Sequence, residues 1–259
     1  MTYVVNLSST HTASSLHDVV TTFVRLLHPT QRTRCCLRFF DNVWRMQVLL
    51  QFWQNQALIK QYEAGEISTQ DFLNTLCDIF SLKNDDTNQS RLKDAWNSMI
   101  SFTKEDLKKF QKLLATRESI HLISNRNAMH IEKYIEWLKA NFSSHLFLSA
   151  EILEGKSGES VMRLGPHIFL HASYQYGAYK TQRGKQSNTL RAPSLMQQVF
   201  QSMDIDVRTT IVVTQFQKDL DEAERLGVRT DNVLPADVFF SPVKRVNTDT
   251  YSATTSPRS

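Results

Sequence analysis

The chain has 259 residues, 41% of them hydrophobic, which is enough to bury one large core or a core with a smaller partner. Seven glycines and six prolines are too few for a loop-rich all-β protein. The net charge of +4 comes from interspersed acids and bases, with no signature of a nucleic-acid recognition module, so nucleic acid is not an expected partner.

The elements begin at once. Tyr3-Val4-Val5 is a β-branched run that leads into Ser and Thr turn formers, the pattern of a short buried strand entering a loop. From residue 14 to 115 the texture is helical throughout. Leu16, Val19, Val20, Phe23, Val24 and Leu27 recur at helical spacing until His28-Pro29. A second run joins Val43, Met46, Val48, Leu49, Leu50, Phe52, Trp53 and Leu58, and Gly65 ends it. Ser68 with Asp71 three residues on resembles a capping box ahead of Phe72-Leu73 and Leu76. Two amphipathic helices follow, at 91–100 and 105–114.

Beyond Ala115, strands alternate with helices. Strands are expected at Ile120–Ser124, His145–Ala150, His167–Ala172, Thr209–Val213 and Val238–Phe240, and helices at His130–Asn141, Leu195–Met203 and Lys218–Leu226. Such alternation implies a doubly wound parallel sheet with its site at the carboxyl ends of the strands, over which the helical block would hang as a cap. Residues 1–13 and 116–245 would form a discontinuous α/β core and 14–115 the cap, while 246–259 reads as a disordered tail. Segments 143–166 and 181–193 are longer than ordinary connections.

Cys35, Cys36 and Cys77 form no C-x-x-C pair, which favours buried thiols in a reducing compartment. With no basic-then-apolar leader and no apolar run near the roughly 18 residues of a membrane span, a cytoplasmic protein is expected.

Several segments, in order, resemble the haloacid dehalogenase-like (HAD-like) hydrolases, and in particular their helical-cap phosphatase branch. Tyr62-Glu-Ala-Gly-Glu-Ile-Ser68 is similar to a stretch of that cap, and Trp96 sits where these caps often carry a tryptophan. Ile123-Ser-Asn-Arg-Asn127 resembles the second motif, where a hydroxyl donates to the transferred phosphoryl group. His167–Leu170 leading to Tyr176-Gly-Ala-Tyr-Lys180 resembles the third. Ile211-Val-Val-Thr-Gln215 with Asp219 resembles the fourth.

The resemblance implies a Rossmannoid core and a phosphate site at Ser124, Asn125 and Lys180. The nucleophile position falls on Asn6, the acid/base position on Ser8, and the magnesium positions on Thr214 and Gln215, with Asp219 as a further acid. The family's nucleophile is an aspartate, and an amide at Asn6 is a far poorer one. Magnesium prefers carboxylate and phosphate oxygens, so a pocket of Asn6, Thr214 and Gln215 offers it neutral groups only.

The expectation is therefore a HAD-like protein with degenerate motifs. It would be a pseudophosphatase that holds a phosphate-containing ligand or phosphorylated protein without cleaving it and without a cofactor. A working magnesium-dependent phosphomonoester hydrolase using Asp219 or Asp41 is one alternative, and a pure interaction module is the other. Bland readings stand beside the site residues: Ser124 and Asn125 as helix caps, Lys180 as a surface lysine, Asn6 as a turn residue and His130 as a structural histidine.

Overall fold

The computed structural model describes residues 1–7, 16–27, 37–142, 146, 151–154, 160–177 and 193–241. Ser8, Lys180, Cys35, Cys36 and the tail beyond residue 241 lie outside the described residues, as does most of the strand expected at His145–Ala150.

A seven-stranded sheet is built from β1 (Thr2–Asn6), β2 (Ser119–Ser124), β3 (Glu151–Glu154), β4 (Ser160–Gly165), β5 (Ile168–Ala172), β6 (Thr210–Thr214) and β7 (Val233–Pro235). The strand order is β3-β4-β5-β2-β1-β6-β7, with β1 between β2 and β6. The five strands from β5 to β7 pair parallel, but β3 and β4 are antiparallel, so the sheet is mixed rather than all-parallel. Pro166-His167 between β4 and β5 is far too short for a parallel crossover, and a connection of that length makes a hairpin.

Alternation along the strands divides the core between two faces. Val5, Leu122, Leu170 and Val213 pack with α6 (Lys104–Leu114), α7 (Ala128–Phe142) and α11 (Ala236–Phe240). Val4, Ile123 and Val212 face α9 (Leu195–Ser202) and α10 (Gln217–Arg225). The apolar run Val238-Phe239-Phe240, expected as a strand, belongs to α11, and the last strand is β7 just before it. Three apolar residues carry no period, and the chain turns helical after Pro235, which sits at the N-cap.

Between β1 and β2 run α1 (Leu16–Leu27), α2 (Leu37–Gln54), α3 (Gln56–Glu63), α4 (Thr69–Ile79), α5 (Asp86–Asn97) and α6. The first five share a cluster of their own, in which Phe72 stacks on Tyr62 at 4.2 Å and meets Trp96 edge-on at 4.8 Å. By packing, α6 goes with the sheet, since Phe110 and Leu113 lie in the β-sheet cluster. Leu37–Phe40, just ahead of Asp41, are the first turn of α2. Asp41 therefore does not end a strand, and the alternative that makes it the nucleophile loses its structural basis.

Ser68 caps α4 by accepting from Asp71 N–H at 3.1 Å. The full reciprocal box occurs instead at α6, where Thr103 N–H donates to Asp106 Oδ2 at 2.7 Å and Thr103 Oγ1 accepts from Asp106 N–H at 3.3 Å. The short helix α8 (Ser173–Tyr176) follows β5 directly and is closed by Gly177 in the left-handed region. No described helix is long and apolar enough to cross a membrane.

Candidate functional site

The carboxyl ends of β1, β2 and β6 are brought side by side by the parallel register. Asn6 is level with Ile123, one residue short of Ser124, and Val5 is level with Val213, one residue short of Thr214. Asn6, Ser124, Thr214 and Asp219 are all buried.

These buried polar groups satisfy one another. Asn6 Nδ2 donates to Thr214 Oγ1 at 3.2 Å and also to Asp219 Oδ2. Thr214 Oγ1 in turn donates to the same Oδ2 at 2.9 Å and accepts from Phe216 N–H at 3.2 Å. Asn6 thus turns the NH2 end of its amide, the donor end, toward Asp219 and Thr214. Asp219 stands in the first turn of α10, where the helix N-terminus favours negative charge.

On the neighbouring strand, Ser124 Oγ accepts from Arg126 N–H at 3.1 Å, closing a tight turn at the end of β2. Asn127 bonds to the start of α7, through Oδ1 accepting from His130 N–H at 3.1 Å. His130 Nε2 lies 3.0 Å from the carbonyl of Trp96, so it carries the proton and His130 serves as a structural tie. Arg126 was not singled out by its type. Its half-buried side chain keeps Nε from solvent, and burial pulls the guanidinium pKa down to about 10 against the opposing charges of Tyr134 and Glu63.

Beside the triad lies a cleft of ≈ 680 Å³ lined by Glu105, Lys109, Thr214, Gln215, Asp237 and Phe240. Its volume is within the range of small-molecule sites. Gln215, exposed at the end of β6, borders this cleft, whereas its neighbour Thr214 turns inward to the carboxylate.

No protein-family model and no curated protein matches the sequence. Solved structures do match. A HAD-family enzyme from Bacteroides thetaiotaomicron, in complex with magnesium and inorganic phosphate, superposes with a TM-score of 0.57 at 14% identity, over 90% of this chain and 92% of that one. A predicted HAD-like family hydrolase from Porphyromonas gingivalis gives 0.53 at 13% identity, over 90% and 89%. The fold is that of the haloacid dehalogenase-like hydrolases.

Magnesium is the ion whose fit to this HAD-like fold depends on the side chains gathered at the strand ends. No group of three or more His, Cys, Asp or Glu side chains among the described residues converges on a point. Where β1 and β6 end, Asp219, Thr214 and Asn6 offer one carboxylate, one hydroxyl and one amide. The carboxylate oxygen Oδ2 already takes hydrogen bonds from both of the others. Magnesium demands near-octahedral oxygen ligation, and protein sites usually give it carboxylates alongside substrate phosphate. This donor set does not fit it.

Proposed function

We propose that this HAD-like protein is a non-catalytic binding protein, a pseudophosphatase that holds a phosphate-bearing ligand at the strand ends without hydrolysing it. One observation carries the reading: the nucleophile position is occupied by an N–H donor directed at Asp219 Oδ2. A hydrogen-bonding amide is neither a nucleophile nor an anionic metal ligand, and it occupies the carboxylate oxygen that an ion would otherwise use. Ser124 at the end of β2 and Arg126 two residues on supply anion-binding chemistry, with Lys180 as a further cation in this reading. The adjoining cleft gives room for the remainder of a ligand. The helical insert would act as the cap.

The test is an assay with a generic phosphomonoester and magnesium, run beside a thermal melt with inorganic phosphate. Native protein is expected to show no turnover above an Asn6→Ala control. Its melting temperature should rise in 10 mM phosphate, and less so in Ser124→Ala and Lys180→Ala. Joint Asn6→Asp, Thr214→Asp and Gln215→Asp substitution should create metal-dependent turnover. Native turnover that Asn6→Ala abolishes would sink the proposal.

A further inference from the structure

The helix α2 is apolar on two adjoining faces. Val48, Trp44, Leu49 and Phe52 pack into the cluster shared by α1–α5. Val43, Met46, Leu50 and Trp53 do not, and remain 49%, 66%, 48% and 71% exposed. An ordinary surface helix needs one apolar stripe to join its core. The second stripe here therefore has no use in the described part of this chain.

Its spacing is informative. Positions 43, 46, 50 and 53 follow a 3-4-3 repeat, the a/d seam of a two-helix coiled coil, and they span an arc of about 80° on the helix surface. Exposed Gln47 and Gln54 border the stripe on one side and half-buried Leu49 on the other, none of them charged.

We infer that this stripe is an interface with a second copy of the chain, formed by antiparallel pairing of α2 with its mate about a two-fold axis between Met46 and Leu50. That axis sets Val43 of each copy against Trp53 of the other, and Met46 against Leu50. The smallest side chain meets the largest and the two intermediate ones meet each other, so the volumes match under the symmetry operation. A two-fold contact requires self-complementarity of this kind. The uncharged borders bring no like charges together. They also lack the basic row that draws an amphipathic helix to anionic lipid.

The four side chains expose on the order of 400 Å² of apolar surface, the size of patch that is usually functional on a monomer. With its borders, the paired seam would bury about 1,000 Å², at the lower limit of specific interfaces. An interface of that size belongs with weak, reversible pairing.

Sedimentation velocity of the full chain between 1 and 100 µM is expected to show a monomer–dimer equilibrium. Met46→Lys and Trp53→Lys, both on the exposed face, should each weaken it at least 10-fold while leaving the circular dichroism spectrum unchanged. Val43→Trp alone should weaken it, and Val43→Trp with Trp53→Val should restore it at least 5-fold, because the exchange keeps one large and one small partner in each pair. A chain that stays monomeric at 100 µM overturns the inference, as does a dimer that both lysine variants leave intact. Equal constants for Val43→Trp and the exchanged double variant overturn the antiparallel pairing. Binding to phosphatidylcholine or phosphatidylserine vesicles that Trp53→Lys abolishes would assign the stripe to lipid instead.

Discussion

Two buried histidines carry the clearest pH dependence at the level of single residues. Ser119 Oγ lies 3.1 Å from His121 Nε2, His121 Nδ1 lies 3.0 Å from His171 Nε2, and His171 Nδ1 lies 2.6 Å from Tyr176 OH. This hydrogen-bonded chain is enclosed by Phe169 stacked on His121 at 4.9 Å. Burial lowers the His121 pKa to about 4, and burial followed by the proximity of His121 holds His171 well below its ordinary value. In the unfolded chain both titrate near 6.5. Between about 6.5 and 4 the unfolded state thus binds more protons, and stability falls as the pH is lowered through that window. Urea unfolding at pH 7.0, 5.5 and 4.5 is expected to show a loss of about 2.4 kcal/mol for His121 alone, and His121→Phe should reduce the slope. Above pH 7 the two histidines contribute no slope. The sequence placed both residues in strands, but their type said nothing of a shared network. Residues 50 apart meet only because β2 and β5 are neighbours in the sheet.

Among elements, α2 and α6 separate what periodicity carries from what packing decides. The apolar positions of α2 formed a single run in the sequence, and periodicity could not say that they serve two faces. That division depends on which side α1, α4 and α5 occupy. For α6 the helix itself was legible from its spacing, yet its allegiance was not. It follows the helical insert in the chain but buries Phe110 and Leu113 against the sheet. Its start is held by the Thr103–Asp106 box, with Asp106 wholly buried. Thr103→Ala leaves buried Asp106 short of a hydroxyl donor at 2.8 Å and exposes an orphan N–H. A loss of about 1–2 kcal/mol in chemical denaturation is expected.

At the scale of the whole molecule, the helical insert is fastened to the sheet domain by Met129 of α7 buried in the insert's cluster, by Trp96 stacked on His130 at 5.8 Å, by a few polar contacts and by one close backbone approach. Lys133 Nζ on α7 donates to the carbonyls of Asn97 and Ile100 at 2.6 and 2.8 Å, closing the end of α5. Tyr62 OH accepts from Met129 N–H at 3.3 Å, and Ser173 Oγ donates to the Glu63 carbonyl at 2.7 Å. Beside that last bond, Gly65 adopts φ +76°, and a Cβ there would stand 2.2 Å from the Tyr174 carbonyl oxygen. Gly65→Ala combines a strained backbone with a clash against main chain that cannot rotate away. It is expected to cost about 3 kcal/mol or more and to loosen the insert from the sheet, seen as faster hydrogen exchange at Glu63 and Ser173. In the sequence Gly65 reads as a helix stop within the cap-like stretch Tyr62–Ser68. The close approach was invisible because Tyr174 lies more than a hundred residues further on.

The alternation of apolar runs determined by itself that this is an α/β protein with a helical insert after its first strand, because each period is a local property of the chain. It also placed Asn6, Ser124 and Thr214 at strand ends. Folding decided what those residues do. Only the parallel register of β1 with β6 and the return of α10 bring the Asn6 amide and the Thr214 hydroxyl onto Asp219. A hydrogen bond between residues over 200 apart is fixed by the packing of the sheet, and no local pattern encodes it.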